Sequence, residues 1–239
     1  MIAVVGDDAL ASALDEAGHS AASGEGAVSP ACSLVVAVGD EALADVAARA
    51  PDSPVLAVAT DRTVPSVAND PEAVVTAVEA FRAGEADIVD RTLLSVAVAD
   101  RQYRALFDAM LVTAEPAQIS GFRVGADAHG TLDDVRADGV VAATPAGSRG
   151  YARDAGGPTV APGTDALAVV PIAPFTVDPH RWVVAPPISL TVTRDEGTIE
   201  LRVDGRERGT VAPEATVHIE RDGALSVLAP GRAATMEKT

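Results

Sequence analysis

The alternation of short apolar runs with helical patterns constrains the fold of the first part of the chain. In chain order, these segments lie at 2–5, 9–17, 33–38, 41–49, 55–58 and 71–83, with the strand-like run first in each pair. Strands that alternate with helices predict a parallel sheet whose ligand crevice lies at the carboxyl ends of the strands. Gly39 and Asp40 follow directly after such a strand, whereas the Gly- and Ser-rich stretch 18–30 is predicted to be a loop.

From about Thr92 the helical pattern gives way to short β-prone runs separated by turns. Asp204-Gly205, between two of these runs, is typical of a hairpin turn. We therefore expect an α/β N-terminal lobe with a Rossmann-like parallel sheet at 1–90 and a β-rich C-terminal lobe at 91–239. A chain of 239 residues can bury a core without disulfides, and Cys32 is its only cysteine.

The charge of the chain argues against two classes of partner. A net charge of −17 and a sequence pI ≈ 4.4 disfavour binding to nucleic acids and to anionic membranes. Lys238 is the only lysine, and this scarcity, with the acidic excess, is typical of halophilic, haloarchaeal proteins. No apolar run approaches membrane-spanning length and Met1–Val5 carries no basic residue, so we expect a cytoplasmic protein without a targeting segment.

The segment 136–158 carries groups that suit a nucleotide. Asp138-Gly139 leads through an apolar run to Thr144-Pro-Ala-Gly147-Ser148, and a Gly-Gly-Pro sequence follows at 156–158. Hydroxyls and unobstructed backbone N–H groups can bind ribose hydroxyls or a diphosphate, and the glycines permit close approach. Tyr151 can stack on a planar ring, and a carboxylate such as Asp138 commonly accepts a hydrogen bond from ribose in dinucleotide sites.

This ordered set resembles the signature of the NAD kinase family. In that family an Asp-Gly pair leads through a strand to Thr-Pro-Thr-Gly-Ser-Thr-Ala-Tyr-Ser and then to Ala-Gly-Gly-Pro. The segment 165–174 and the Asp204-Gly205-Arg206 sequence are similar to two further family segments, the latter to an Asp-Gly-Gln hairpin. Residues 105–111 resemble the family's Ala-Leu-Asn-Asp/Glu strand, although Phe107 replaces the Asn and the acid is Asp108.

The resemblance implies an NAD kinase-like two-domain fold, with the dinucleotide between the lobes and a homodimer or homotetramer. It implies NAD as substrate, ATP or polyphosphate as phosphoryl donor, and Mg²⁺ on the donor. The dinucleotide-binding residues that it implies are Gly39, Asp108, Arg136, Asp138, Thr144, Gly147, Ser148, Arg149, Gly150, Tyr151, Asp154 and Arg206.

The family's Gly-Gly-Asp-Gly-Thr loop is altered in this chain, where residues 38–42 read Val-Gly-Asp-Glu-Ala. The resemblance implies that Asp40 is the catalytic base toward the adenosine 2′-hydroxyl. Glu41 adds a carboxylate, and two unit charges a few ångströms apart repel by roughly 4 kcal/mol at an effective dielectric of about 20. Glu41 could instead point to solvent from the first helical turn or hold Mg²⁺, and Arg149 and Arg153 could supply compensating charge.

These observations lead to two functional predictions. The first is an NAD kinase that forms NADP, and the second is a catalytically silent protein that senses or buffers NAD or NADP, which Glu41 and Phe107 favour. The four histidines and Cys32 show no metal-ligand spacing, so no resident metal site is expected. Ser148 does not lie in a Gly-x-Ser-x-Gly sequence and Gly-x-Gly-x-x-Gly is missing, so a hydrolase and an ordinary Rossmann dehydrogenase are disfavoured.

Overall fold

A computed structural model of the protein describes residues 1–115 and 118–229 and divides the chain into two compact units. The first unit contains Met1–Arg91 and the described residues from Ala224 onward, and the second contains Thr92–Gly223. The chain crosses between the units at these boundaries. Residues 224–229, which the sequence-based division placed with the second lobe, thus belong to the compact unit that contains the N-terminus.

The first unit is built from alternating strands and helices. Its elements are β1 Ile2–Val5, α1 Asp8–Glu16, β2 Ala21–Ser23, a 3₁₀ turn at Glu25–Ala27, β3 Leu34–Val38, α2 Gly39–Arg49, β4 Val55–Val58, β5 Ser66–Val67 and α3 Pro71–Arg82. Asp7 caps α1 by accepting hydrogen bonds from two backbone N–H groups of its first turn, and Asp70 caps α3. Pro71 occupies the start of α3, where its missing N–H is not needed.

The sheet of this unit is parallel, with β4, β3, β1 and β2 as successive neighbours. Residues of β1, β3 and β4 are almost completely buried, as expected for parallel strands that are covered on both faces. β5 pairs with β4. Because β3 and β4 are parallel neighbours, the loops that follow them emerge at the same edge of the sheet.

The second unit consists mainly of antiparallel strands. Its elements, together with the two strands that cross the unit boundary, are β6 Asp87–Val98, β7 Arg101–Ala105, β8 Asp108–Thr113, β9 Ser120–Ala126, β10 Gly130–Ala137, β11 Gly139–Ala143, α4 Tyr151–Asp154, β12 Leu167–Ile172, β13 Trp182–Val184, β14 Ile188–Arg194, β15 Ile199–Val203, β16 Arg206–Val211 and β17 Thr216–Ala229.

These strands form two layers. One contains β10, β9, β14 and the first part of β17, and the other has the order β13-β12-β11-β8-β15-β16. Apolar side chains from both layers, including Phe122 and Leu190 on one side and Leu111 and Leu201 on the other, share a buried core. The hairpin predicted at Asp204-Gly205 is confirmed between β15 and β16, with φ of 50° and 77° at these two residues. Such positive values suit a tight two-residue hairpin turn.

The predicted fold class is therefore confirmed, with two local corrections. The predicted loop 18–30 contains β2 and a 3₁₀ turn, which were missed because Ala21–Ser23 is a three-residue edge strand without a large apolar side chain. Helix α2 begins at Gly39, not at residue 41, so Asp40 and Glu41 both lie in its first turn. Among the described residues, no helix is long and apolar enough to cross a membrane.

Candidate functional site

The carboxylate of Asp40 is held by two residues of the loop that follows β4. The Thr60 hydroxyl donates to Oδ1 of Asp40, and Nε of Arg62 donates to Oδ2 at 2.7 Å. The side chains of Asp40 and Arg62 are 39% and 22% exposed. These contacts form because β3 and β4 are parallel neighbours, so the first turn of α2 and the loop after β4 lie at one edge of the sheet.

Two glycines shape the backbone around Asp40. Gly39 has a φ of 84°, a region that favours glycine, so the turn from β3 into α2 requires this residue. Gly6, in the turn after β1, lies against the same place: a Cβ on Gly6 would stand 2.7 Å from the carbonyl oxygen of Val38. Gly6 thereby lets the first turn of the chain approach the segment that carries Asp40, a role that the sequence alone did not reveal.

The charges around Asp40 include one that the sequence did not indicate. Glu41 is an exposed first-turn residue of α2, which fits the alternative in which its charge complements the helix dipole in solvent. Arg149 and Arg153, considered as compensating cations, are exposed residues of the second unit. The cation that contacts Asp40 is Arg62, which sequence reasoning missed because it lies 22 positions away in a loop without a motif.

In the second unit, the segment 106–108 is held by the carboxylate of Asp204. Oδ2 of Asp204 accepts the N–H of Leu106 at 2.8 Å, and Oδ1 accepts those of Phe107 at 2.7 Å and Asp108 at 3.0 Å. The N–H of Asp204 donates in turn to the carbonyl oxygen of Asp108 at 2.9 Å. Phe107 and Asp108 are only 1% and 2% exposed, so Phe107 is a core residue where the family has an amide.

Thr144 and Gly147 contact the same segment through its carbonyl groups. The Thr144 hydroxyl donates to the carbonyl oxygen of Leu106 at 2.6 Å, and the Thr144 N–H donates to that of Phe107 at 2.8 Å. A Cβ on Gly147 would overlap the Phe107 carbonyl, so glycine is required there by packing. Thr144 is completely buried, and its hydroxyl, predicted to meet a ligand, binds the backbone of the neighbouring loop.

Ser148 is likewise buried and holds the loop on which it lies. Its hydroxyl contacts the carbonyl oxygen of Pro145 at 3.0 Å and accepts the N–H of Val160 at 3.0 Å. The relative exposure of Ser148 is 0%. The hydroxyls of Thr144 and Ser148 therefore determine the shape of the candidate dinucleotide loop, because both are used within the protein.

The groups that this loop presents to solvent are those around α4. Tyr151 is 42% exposed, and Arg149 and Asp154 are also exposed, with Gly150 half-buried between them. Gly157 allows the chain to pack closely, because a Cβ there would lie 2.7 Å from the carbonyl oxygen of Ala152. A planar ring or a phosphate could reach Tyr151 and Arg149 without any rearrangement of the core.

Arg136 lines a separate cavity of ≈ 260 Å³ in the second unit, with Phe175 and His180 among the other lining residues. The guanidinium carbon of Arg136 lies 5.6 Å from the centroid of the Phe175 ring, a cation–π distance.

Asp138 is half-buried and lies between β10 and β11, and Arg206 follows the hairpin turn at Asp204-Gly205. Within 1–115 and 118–229, no group of three or more His, Cys, Asp or Glu residues could hold a metal ion.

Comparison with known proteins explains why these features occur together. The family model of the ATP-NAD kinase C-terminal domain matches residues 107–224, which include the segment at Asp108, the loop at Thr144 and the hairpin at Asp204. The chain belongs to the NAD kinase family. The NAD kinase of Methanothermobacter thermautotrophicus is 40% identical over 116 residues, 48% of this chain and 41% of that protein. The NAD kinase of Chlorobium phaeovibrioides is 31% identical over 157 residues, 63% of this chain and 56% of that protein.

The matched region thus covers about half of the length of each of these relatives. Solved structures extend the likeness of the fold beyond it. An NAD kinase from Archaeoglobus fulgidus in complex with ATP has a TM-score of 0.78 at 20% identity, covering 98% of this chain and 96% of that one. Yeast NADH kinase complexed with NADH has a TM-score of 0.75 at 21% identity, covering 87% and 65%. The predicted NAD kinase-like fold is confirmed by both.

Proposed function

We propose that the protein is an NAD kinase that transfers the terminal phosphoryl group of ATP or polyphosphate to the adenosine 2′-hydroxyl of NAD. The observation that carries the proposal is the position of Asp40. Its carboxylate stands directly after a buried parallel strand, partly exposed and fixed by Thr60 and Arg62. The match of residues 107–224 to the family supports a dinucleotide as the acceptor.

Phosphoryl transfer requires little covalent chemistry from the protein. The 2′-oxygen forms a bond to the transferred phosphorus, the bond to the leaving phosphate breaks, and Asp40 takes the hydroxyl proton. Positioning and charge neutralisation supply most of the rate enhancement in such transfers. Mg²⁺ enters on the donor phosphates as part of the substrate. Asp40 must therefore be held still and close to the acceptor hydroxyl, a task that suits its two fixed oxygens.

The acceptor side of the proposal uses the exposed groups of the second unit. Tyr151 would stack on a planar ring of NAD, and Arg149 would meet its diphosphate, with Gly150 and Asp154 completing the loop. The carboxylates of Asp108 and Asp138 and the cations Arg136 and Arg206 remain proposed dinucleotide contacts. Thr144, Gly147 and Ser148 would act through the shape that they give the loop.

The kinase proposal is tested by measuring NADP formation with a coupled dehydrogenase specific for NADP. Purified protein is incubated with NAD, Mg²⁺ and either ATP or polyphosphate in molar KCl. We expect product from the wild-type protein and a loss of at least about 100-fold in Asp40→Asn, a typical effect of removing a general base. The exposed Asp52 serves as matched control, and Asp52→Asn should behave as wild type. Equal rates in Asp40→Asn and wild type would refute the role of Asp40.

A catalytically silent dinucleotide-binding protein is the second candidate. It is favoured by the burial of Phe107 in the core, because this residue replaces an amide that could both donate and accept hydrogen bonds. Calorimetry distinguishes the candidates: NAD or NADP binding without turnover from any donor would support the sensor. Lack of affinity for both dinucleotides would exclude the two candidates together.

Three further predictions from the sequence belong to the proposal: a halophilic protein, a cytoplasmic location and a homo-oligomer. The acidic, lysine-poor composition supports a protein that works in a high-salt cytoplasm. The family resemblance supports a homodimer or a homotetramer. Light scattering in molar KCl tests the assembly, and a monomeric mass under those conditions would contradict it.

A further inference from the structure

Arg62 is connected to Asp40 by a closed set of hydrogen bonds. Nε of Arg62 donates to Oδ2 of Asp40 at 2.7 Å, and the Arg62 N–H donates to the Thr60 hydroxyl oxygen at 3.1 Å. The Thr60 hydroxyl in turn donates to Oδ1 of Asp40. Both carboxylate oxygens are therefore fixed from one loop, and rotation of the carboxylate would break two hydrogen bonds at once.

The loop that carries Arg62 is itself anchored to the sheet. Ala59, the first residue after β4, has a φ of 51°, an uncommon conformation for a residue with a Cβ. The N–H of Ala59 donates to the carbonyl oxygen of Val67 in β5 at 2.9 Å. A strained backbone persists only where the surrounding contacts hold it, so this turn is a defined part of the structure that brings Thr60 and Arg62 to Asp40.

Arg62 also changes the charge at the first turn of α2, where a polyphosphate donor would bind in the proposed reaction. Asp40 and Glu41 put two carboxylates into the first turn of α2. An anionic donor would be repelled by both, and the added charge of Glu41 is one of the two sequence features that favoured a catalytically silent protein. The guanidinium of Arg62, whose side chain is 22% exposed, offsets one of these charges at hydrogen-bond distance and in a partly desolvated position.

We propose that Arg62 is a positioning residue for phosphoryl transfer, which holds the carboxylate of Asp40 and makes the acidic first turn of α2 tolerant of a polyphosphate donor. This inference rests on the proposed kinase function. It assigns Arg62 two separable effects, one on the donor through its charge and one on the chemical step through its hydrogen bond to Asp40.

The two effects are separated by kinetics on matched variants. Arg62→Ala should lower kcat by about 100-fold and raise the KM for ATP by about 10-fold, with the KM for NAD unchanged. Arg62→Lys keeps the charge without the planar fork, so it should recover most of the ATP KM but little of kcat. Arg49 pairs with Glu25 at the other end of α2, and Arg49→Ala is the control that should leave both parameters unchanged.

A binding experiment tests the role of Arg62 in anion binding even if the protein is not a kinase. Calorimetry with inorganic tripolyphosphate should show an affinity about 10-fold weaker for Arg62→Ala than for wild type, near-normal affinity for Arg62→Lys, and no change for Arg49→Ala. This result without NADP formation would refute the kinase and keep Arg62 as an anion-site residue. Equal tripolyphosphate affinity in Arg62→Ala and wild type, with equal urea midpoints showing that both are folded, would overturn the inference.

Discussion

Asp204→Ala should destabilise the second unit more than any ordinary surface substitution. The change removes the acceptor of three backbone N–H groups, those of Leu106, Phe107 and Asp108. These residues are between 0% and 2% exposed, so water has poor access to the donors that lose their partner. The loss of the carboxylate would also release the segment that places Asp108.

The expected loss of stability follows from the strengths of these three hydrogen bonds. A hydrogen bond to a charged group contributes about 1.5–3 kcal/mol, and leaving a buried donor unsatisfied costs about 1–3 kcal/mol. The three bonds share two oxygens of one half-buried carboxylate, so they are not additive. We therefore expect Asp204→Ala to lower the free energy of unfolding by about 3–5 kcal/mol. Asp204→Asn keeps one acceptor oxygen and tolerates the positive φ, and should lose about half as much.

Urea denaturation in molar KCl, followed by circular dichroism, measures this loss without a change in ionic strength. Glu214 is the matched control, because it is another acidic residue with a positive φ, 62°, and is exposed. Glu214→Ala should change the free energy of unfolding by less than about 1 kcal/mol. Hydrogen exchange should show faster exchange at 106–108 in Asp204→Ala. A loss below about 1 kcal/mol, or unchanged protection of these amides, would refute the reasoning.

Three further substitutions probe the packing of the two units, all by urea denaturation. Gly147→Ala should cost about 2–4 kcal/mol because its Cβ would overlap the Phe107 carbonyl, and near-wild-type stability would contradict the close approach. Ser148→Ala should cost about 1–3 kcal/mol by leaving the N–H of Val160 without its acceptor; a cost near zero would count against that bond. His19 is 6% exposed and neither ring nitrogen has a hydrogen-bond partner among the described residues, so His19→Leu should stabilise the protein by about 1 kcal/mol, and destabilisation would argue otherwise.

The sequence predicted those elements whose apolar pattern is strong. The strand at Val55–Val58 matches its predicted bounds, because it is a continuous buried run flanked by turn residues. The apolar run noted after Asp138-Gly139 is likewise a buried strand, Gly139–Ala143. The strand β10, Gly130–Ala137, was missed. It ends its sheet and carries polar residues, so its pairing depends on a neighbouring strand and leaves little periodicity in the sequence.

The candidate site was predictable only where the neighbouring sequence indicates the role of a residue. Asp40 follows a strand, and the loop from Asp138 to Gly157 has a recognisable order of residues. The partners that decide what a side chain does lie far away in sequence: Thr144 donates to Leu106, 38 positions earlier, and Asp204 accepts N–H groups from more than 95 positions away. Whether a small hydroxyl is buried depends on the tertiary structure. A sequence motif therefore does not show whether the hydroxyl binds a ligand or the protein backbone.

The proposed kinase activity is tested by following the reaction of NAD with ATP and Mg²⁺ in molar KCl by phosphorus NMR. We expect a new phosphomonoester on the 2′-position of the adenosine ribose, formed together with ADP by the wild-type protein and missing with Asp40→Asn. Bound but unmodified NAD in the wild-type sample, or a phosphoryl group on any other position, would contradict it.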